Sequence, residues 1–274
     1  MNLSTLKPST LAGTVITAGV LAFSSAALAI PGPGGGSDPT SAYASAGPQA
    51  TVSEREDSGC TVYRPRNVEP GTPVILWGNG TGGSPTTYGR GLEHWASYGY
   101  IVAAARTSNA GTGEEMIECI DAVRRASYGN NVDFSRIGAS GHSQGGGGTI
   151  MAARDVRITA TAPMQPYILG LGHRRSSQDE QSAPMLLLSG SSDALAGPAL
   201  NQRPVFNRVD VPVFWATRSG ASHFEPIGNF GDFRGISTAW WEFQLKGDSD
   251  AAELFTGACT ACDISGWDVQ RKGL

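Results

Sequence analysis

The stretch GASGHSQGGGG, Gly138 to Gly148, sets Ser143 in a run of glycines in mid-chain. Glycine weakens helices and strands alike, because it gives up more conformational freedom on folding than any other residue. One reading is a glycine-rich turn with an incidental serine. The other is a nucleophile elbow. GHSQG, Gly141 to Gly145, fits G-x-S-x-G, follows a run that reads as a strand and opens one that can be helical. On that reading Ser143 is held strained at the turn, and Gly141 and Gly145 let strand and helix backbones approach where a Cβ would collide. The position after RIGAS favours the elbow. Gly146 to Gly148 exceed what the motif needs and point to tight packing of the helix on a sheet.

Outward from the elbow, brief apolar runs alternate with amphipathic ones. PVILW (Pro73 to Trp77), YIVAAA (Tyr100 to Ala105), RIGASG (Arg136 to Gly141), TATAPM (Thr159 to Met164), PMLLLSG (Pro184 to Gly190) and PVFWAT (Pro212 to Thr217) read as strands buried on both faces. Between them, EEMIECIDAVRRAS aligns Met116, Ile117, Ile120 and Val123 on one helical face. Its acids come first and its arginines last, as the helix dipole prefers. STAWWEFQLK (Ser237 to Lys246) reads as the last helix. The alternation predicts an α/β fold: an open, mostly parallel sheet with helices on both faces, its ligand site beyond the carboxyl ends of the strands.

A serine hydroxyl needs a base, and the base an orienting acid, in the chain order Ser, Asp or Glu, His. Two histidines follow Ser143. His223 lies in RSGAS-H, just after PVFWAT and at the correct end of the sheet, whereas His173 lies in the polar LGHRRSSQDEQ with no strand before it. Asp193 closes PMLLLSGSSD, past a buried run. Asp210 precedes its strand, and Asp179 and Glu180 sit in the polar loop. Ser143, Asp193 and His223 are therefore the expected triad, against the plainer readings of a turn-forming Asp193 and a surface-loop His223. For the oxyanion, Gln144 follows the nucleophile and offers its N–H. WGNGTGG (Trp77 to Gly83) presents a second, assigned to Thr81 with Asn79 and Gly80 as alternatives. The loop lacks the lysine of a phosphate-binding G-x-x-x-x-G-K-[ST].

The chain has 274 residues, length for one large domain, and a formal net charge of -4, which gives no basic footprint for nucleic acid. Lys7, the apolar LAGTVITAGVLAF and the small residues ALA (Ala27 to Ala29) read as an export signal over 1–29, the rival being a membrane anchor. IPGPGGGSDPT begins a flexible leader over 30–45, ahead of a catalytic domain at 46–274. Secretion, extracellular or periplasmic, suits four cysteines. Cys60 with Cys119 and Cys259 with Cys262 is the favoured pairing of the three available, and a redox or metal role for CTAC is the rival.

At these residues the chain resembles the cutinase-like bacterial polyester hydrolases of the α/β-hydrolase family, which include polyethylene terephthalate hydrolases. The similar segments are ASYGYIV, GHSQGGGGTI, APMQPYIL, SGSSDALAGP, SGASHFEP and STAWWEFQLKGD, in the family's order between Pro73 and Asp248. The resemblance implies Ser143 as nucleophile, Asp193 as acid and His223 as base. It puts Thr81 where the family has an aromatic oxyanion donor, and Tyr167 where it has a substrate-stacking tryptophan. Gln144 replaces the family's usual methionine. Thr81 removes half of an aromatic clamp, and stacking is worth roughly 0.5–1.5 kcal/mol beyond burial. The C-terminal CTACDISGWDVQRKGL is unlike the best-known members.

The expectation is thus a secreted serine ester hydrolase with an open cleft and no large lid, taking an ester or polyester. No metal or organic cofactor is implied. Neither nucleic acid binding nor lasting membrane insertion is expected, and the protein is taken as a monomer. Tyr167, Trp77 and Phe224 are the candidate cleft-lining aromatics, with core packing the rival for Trp77. The alternatives are a peptidase or amidase on the same triad, a dienelactone-type hydrolase (which normally has Cys where Ser143 stands), and a catalytically silent binding module.

Overall fold

The computed structural model describes Met1, residues 38–56 and residues 59–274, so the expected export signal lies, Met1 apart, outside the described residues. The strands are β1 (Thr51–Glu56), β2 (Cys60–Pro65), β3 (Thr72–Gly78), β4 (Ile101–Ala105), β5 (Val132–His142), β6 (Ile158–Met164), β7 (Met185–Gly190), β8 (Val213–Arg218) and β9 (Trp267–Lys272). They make one sheet in the order β1-β2-β4-β3-β5-β6-β7-β8-β9. From β4 to β8 every neighbouring pair is parallel. β1, β2 and β9 extend the two ends by antiparallel pairing. The helices are α1 (Ser41–Ala44), α2 (Gly89–Ser97), α3 (Glu114–Arg125), α4 (Gln144–Ala152), α5 (Gln202–Arg208), α6 (Phe233–Lys246) and α7 (Ser249–Phe255).

The period of two along each strand sorts the core into two faces. Ile75, Trp77, Val102, Ala104, Leu186, Leu188 and Phe214 pack against Leu92 and Trp95 of α2 and Ile236, Trp240 and Trp241 of α6. The alternate residues Val74, Leu76, Ile101 and Ala103 meet Met116, Ile120 and Val123 of α3. Further along that face, Leu187 and Trp215 meet Ile150 of α4 and Val205 of α5. This arrangement corrects the cleft assignment of Trp77. Its place in the alternation turns it into the α2–α6 face, where it is fully buried, with its ring centroid 4.9 Å from Tyr88 and 5.0 Å from Phe230. Its indole N–H donates to Asn79 Oδ1 at 3.1 Å.

α6 starts at Phe233, a turn earlier than expected, despite a glycine in that turn. Gly235 is needed there: a Cβ would stand 2.6 Å from the Thr40 carbonyl oxygen. The described part of the expected leader is accordingly fastened. Tyr98 Oη donates to the carbonyls of Ala42 (3.1 Å) and Ser45 (3.0 Å), and His94 Nε2 donates to that of Tyr43 at 2.9 Å. At the other end of α6, Gly247 takes φ 71°, and the N–H groups of Gly247 and Asp248 reach the carbonyls of Phe243 and Glu242.

Cys60 is joined to Cys119, tying β2 to α3, and Cys259 to Cys262, closing the turn after α7. This is the favoured pairing. The first bridge spans 59 residues of chain, a loop whose closure contributes about 4 kcal/mol on a chain-entropy basis. No helix among the described residues is long and apolar enough to cross a membrane.

Candidate active site

Ser143 stands between the end of β5 and the first residue of α4 with φ 54° and ψ −118°. A left-handed φ on a residue with a Cβ costs on the order of 1–3 kcal/mol and persists only where the surroundings impose it. Here the Ser143 N–H donates to Met164 O at 3.1 Å, and the Ser143 carbonyl accepts from Gly147 (3.0 Å) and Tyr167 (2.9 Å). The glycines after it are explained by contact. A Cβ on Gly145 would overlap the Gly78 carbonyl at the end of β3, and one on Gly148 would overlap the Ala110 carbonyl. The two between them face the backbone of residues 164–167. The N-terminal turn of α4 is therefore walled by three backbone segments.

The three residues named from the sequence stand in line. His223 Nε2 is 2.8 Å from Ser143 Oγ, and His223 Nδ1 is 2.8 Å from Asp193 Oδ2. Each comes from the carboxyl side of a strand: β5, β7 and β8. Asp193 Oδ1 accepts from the N–H groups of Leu195 (2.9 Å) and Ala196 (2.7 Å), so the carboxylate is held at both oxygens. Burial pushes its carboxyl up, but the bonds from His223, Ala196 and Leu195 outweigh that and leave it below the ordinary carboxylate value. The rejected candidates are occupied elsewhere. His173 is buried under Gly147 O at 3.1 Å, and burial lowers its pKa. Asp179 pairs with Arg208, and Glu180 lies 3.8 Å from Arg154.

On the other side of Ser143, the loop after β3 has little choice of free donor. Asn79 spends its side chain on Trp77 and on the carbonyls of Ala105 (2.6 Å) and Thr107 (2.9 Å). The N–H groups of Gly80, Gly82 and Gly83 are taken by Tyr88 Oη, Ser108 O and Gly80 O. The Thr81 N–H makes no hydrogen bond among the described residues, so it is open to the cleft. Gln144, first residue of α4, has an N–H with no partner within the helix.

Sequence reasoning missed a buried chain behind this loop. Tyr88 Oη lies 2.8 Å from His142 Nδ1, and His142 Nε2 lies 2.8 Å from the His223 carbonyl oxygen. A carbonyl only accepts, so Nε2 carries the proton, Nδ1 accepts from Tyr88, and Tyr88 in turn accepts from Gly80 N–H. Burial and the neighbouring His223 push the His142 pKa down to about 3, so its ring is neutral. Burial likewise raises Tyr88 to about 12. His142 lies inside the motif, but its role depends on Tyr88, which no spacing rule connects to it.

A cleft of about 620 Å³ opens over Ser143, walled by Thr81, Tyr88, Tyr167, Leu171, Leu195, Phe224 and Ile227. Of the three expected aromatics, Tyr167 and Phe224 line it and Trp77 does not. Phe224 is 62% exposed, and Leu195, Leu171 and Ile227 are also exposed, so the mouth is apolar and open. Among the described residues, no group of three or more His, Cys, Asp or Glu side chains is placed to hold a metal ion.

The profile of a family described as PETase, PET hydrolase-like, matches residues 35–250. Cutinase est2 of Thermobifida alba is 29% identical over 184 residues, which are 61% of this chain and 58% of that protein. Cutinase 2 of Thermobifida cellulosilytica is 27% identical over 216 residues, 70% of this chain and 78% of its own. A bis(hydroxyethyl) terephthalate hydrolase of Streptomyces coelicolor is 25% identical over 202 residues, 70% of this chain and 63% of its own. The match thus spans less than two thirds of the first and third of these relatives.

Proposed function

The chain belongs to the PET hydrolase-like family, and on that footing we propose that it is a secreted serine carboxylic-ester hydrolase of the α/β-hydrolase fold, acting through Ser143, His223 and Asp193. The observation that carries this reading is the unbroken line of two 2.8 Å hydrogen bonds from Ser143 Oγ through His223 to Asp193. His223 Nε2 takes the Ser143 proton as Oγ bonds to the ester carbonyl carbon. The Asp193 carboxylate keeps the proton of His223 on Nδ1 and balances the imidazolium. The carbonyl oxygen, now negative, is met by the N–H groups of Thr81 and Gln144. Collapse expels the alcohol, protonated by His223. Water, deprotonated by the same ring, then releases the acid and restores Ser143.

The substrate is an ester or polyester reached from solvent without a lid. Tyr167 and Phe224 line the cleft over Ser143, and the exposed Leu195 and Ile227 suit a short acyl chain or a polymer strand lying on the surface. With Thr81 where the family carries an aromatic residue, the cleft grips a flat ring from one side, so aliphatic esters are the better substrates. Two disulfides and the N-terminal sequence support export. The test is turnover of short p-nitrophenyl esters, triglycerides, aliphatic polyester and aromatic polyester by the wild-type protein and by Ser143→Ala. Ester turnover that vanishes in Ser143→Ala supports the reading. Peptide turnover without ester turnover, or ester turnover that survives Ser143→Ala, rejects it.

A further inference from the structure

The side chain of Gln144 is 2% exposed, sits at the first position of α4, and has every hydrogen-bonding atom engaged outside its own helix. Its Nε2 donates to the Leu171 carbonyl at 3.0 Å and to Asn109 Oδ1. Leu171 O can only accept, so the amide orientation is fixed, and Oε1 faces Thr81 Oγ1 at 2.9 Å as its acceptor. One amide thus joins three segments: the loop after β3 and the loop after β6, which line the cleft, and the loop between β4 and α3 behind them.

Two of the segments it joins are rich in glycine. Thr81 lies in NGTGG, with glycines on both sides, and Leu171 takes φ 54° between Gly170 and Gly172, which also have positive φ. The fit around the amide is close. A Cβ on Gly111 would overlap Leu171 O and come 3.0 Å from Gln144 Cγ.

From this we infer that the Gln144 side chain is the positioning group of the oxyanion site: by holding Thr81 through its hydroxyl, it fixes the spacing between the Thr81 N–H and the N–H of Gln144 itself. The inference rests on the ester hydrolase reading. The chemistry needs this spacing because the two donors must point at the oxyanion rather than at the ground-state carbonyl, and such preorganisation acts on the transition state more than on substrate binding. Removing a donor outright costs about 10²–10³ in kcat. Loosening one that remains present costs less.

The experiment compares Gln144→Met, Thr81→Val and Thr81→Ser on one soluble p-nitrophenyl ester, with thermal melts as a check on folding. Gln144→Met and Thr81→Val are expected to lower kcat about tenfold with KM within about twofold. Affinity for phenylboronic acid, which forms a tetrahedral adduct on the serine, falls in the same proportion as kcat/KM. Thr81→Ser keeps the hydroxyl and loses clearly less kcat than Thr81→Val. The double variant Gln144→Met with Thr81→Val is no slower than the slower single one, because both break the same tie. If Gln144→Met fails to fold, the Thr81→Val and Thr81→Ser pair decides. Unchanged kcat in a folded Thr81→Val, equal losses in Thr81→Val and Thr81→Ser, or losses that multiply in the double variant overturn the inference. These outcomes are read against a wild-type enzyme that turns over the ester and a Ser143→Ala variant that does not. Failure of that control strikes the ester hydrolase reading instead.

Discussion

The two sides of Ser143 are held in different ways. Toward Asp193 the structure is a short buried line of hydrogen bonds, and the carboxylate is fixed by two backbone N–H groups a few residues further along the chain. Toward Thr81 a glycine-rich loop is held by side chains: its own Asn79 pins its start to the Ala105 carbonyl, Tyr88 stands behind Gly80, and Gln144 lies against Thr81. On the proposed mechanism the first arrangement moves a proton, so it needs partners at fixed distance. The second must only place an N–H where charge develops, and any side chain that reaches the loop can do that. The acid–base side is therefore chemically constrained, whereas the oxyanion side can change its residues, as Thr81 and Gln144 illustrate.

Breaking the acid–base side has the largest expected effect. Ser143→Ala lowers kcat on the order of 10⁶, read on a short p-nitrophenyl ester. Asp193→Asn keeps the shape but lets the His223 ring take the wrong tautomer, and kcat falls about 10⁴. A normal rate in Asp193→Asn means that another group orients the base.

The buried His142 joins the two sides, and its charge state predicts acid lability. Its folded pKa is about 3 against an ordinary 6.5. Below pH 6.5 the unfolded chain binds a proton that the folded chain refuses, so stability is full above 6.5 and is lost as pH falls toward 3. The gap is worth on the order of 4–5 kcal/mol. His94, lowered to about 4 by burial, adds in the same direction. Thermal melts from pH 7 to pH 4 should show a steep fall in midpoint. A flat profile rules out a neutral buried His142. The smallest effect is expected from Tyr88→Phe, which leaves His142 Nδ1 without its donor. Stability falls by about 1–2 kcal/mol and kcat by a few-fold, with KM nearly unchanged. A loss of kcat as large as that of Asp193→Asn would move Tyr88 to the acid–base side of the comparison.

The same contrast explains what the sequence disclosed. Strands buried on both faces, such as MLLLSG and VFWATR, advertise themselves as apolar runs, and the strand ends they define locate Asp193 and His223. β1 (TVSERE) and β9 (WDVQRK) alternate with charge, β2 (CTVYRP) mixes polar residues into its run, and the sequence signals none of the three, nor the helices α2, α5 and α7. Trp77 is open in the sequence to either a cleft or a core reading. Only the register shows that it points into the α2–α6 face. Tyr88 reaches His142 across 54 residues of chain, and Gln144 reaches Thr81, Asn109 and Leu171 across 63, 35 and 27, which no local pattern encodes.

β9 has one more consequence. Without it, β8 would end the sheet as an apolar strand with a free row of amides, open to pairing with any extended chain. As built, the sheet terminates at either border in a strand carrying ions: Glu54, Arg55 and Glu56 on β1, Asp268, Arg271 and Lys272 on β9. The C-terminal strand thus covers the apolar edge of β8 and replaces it with a charged border.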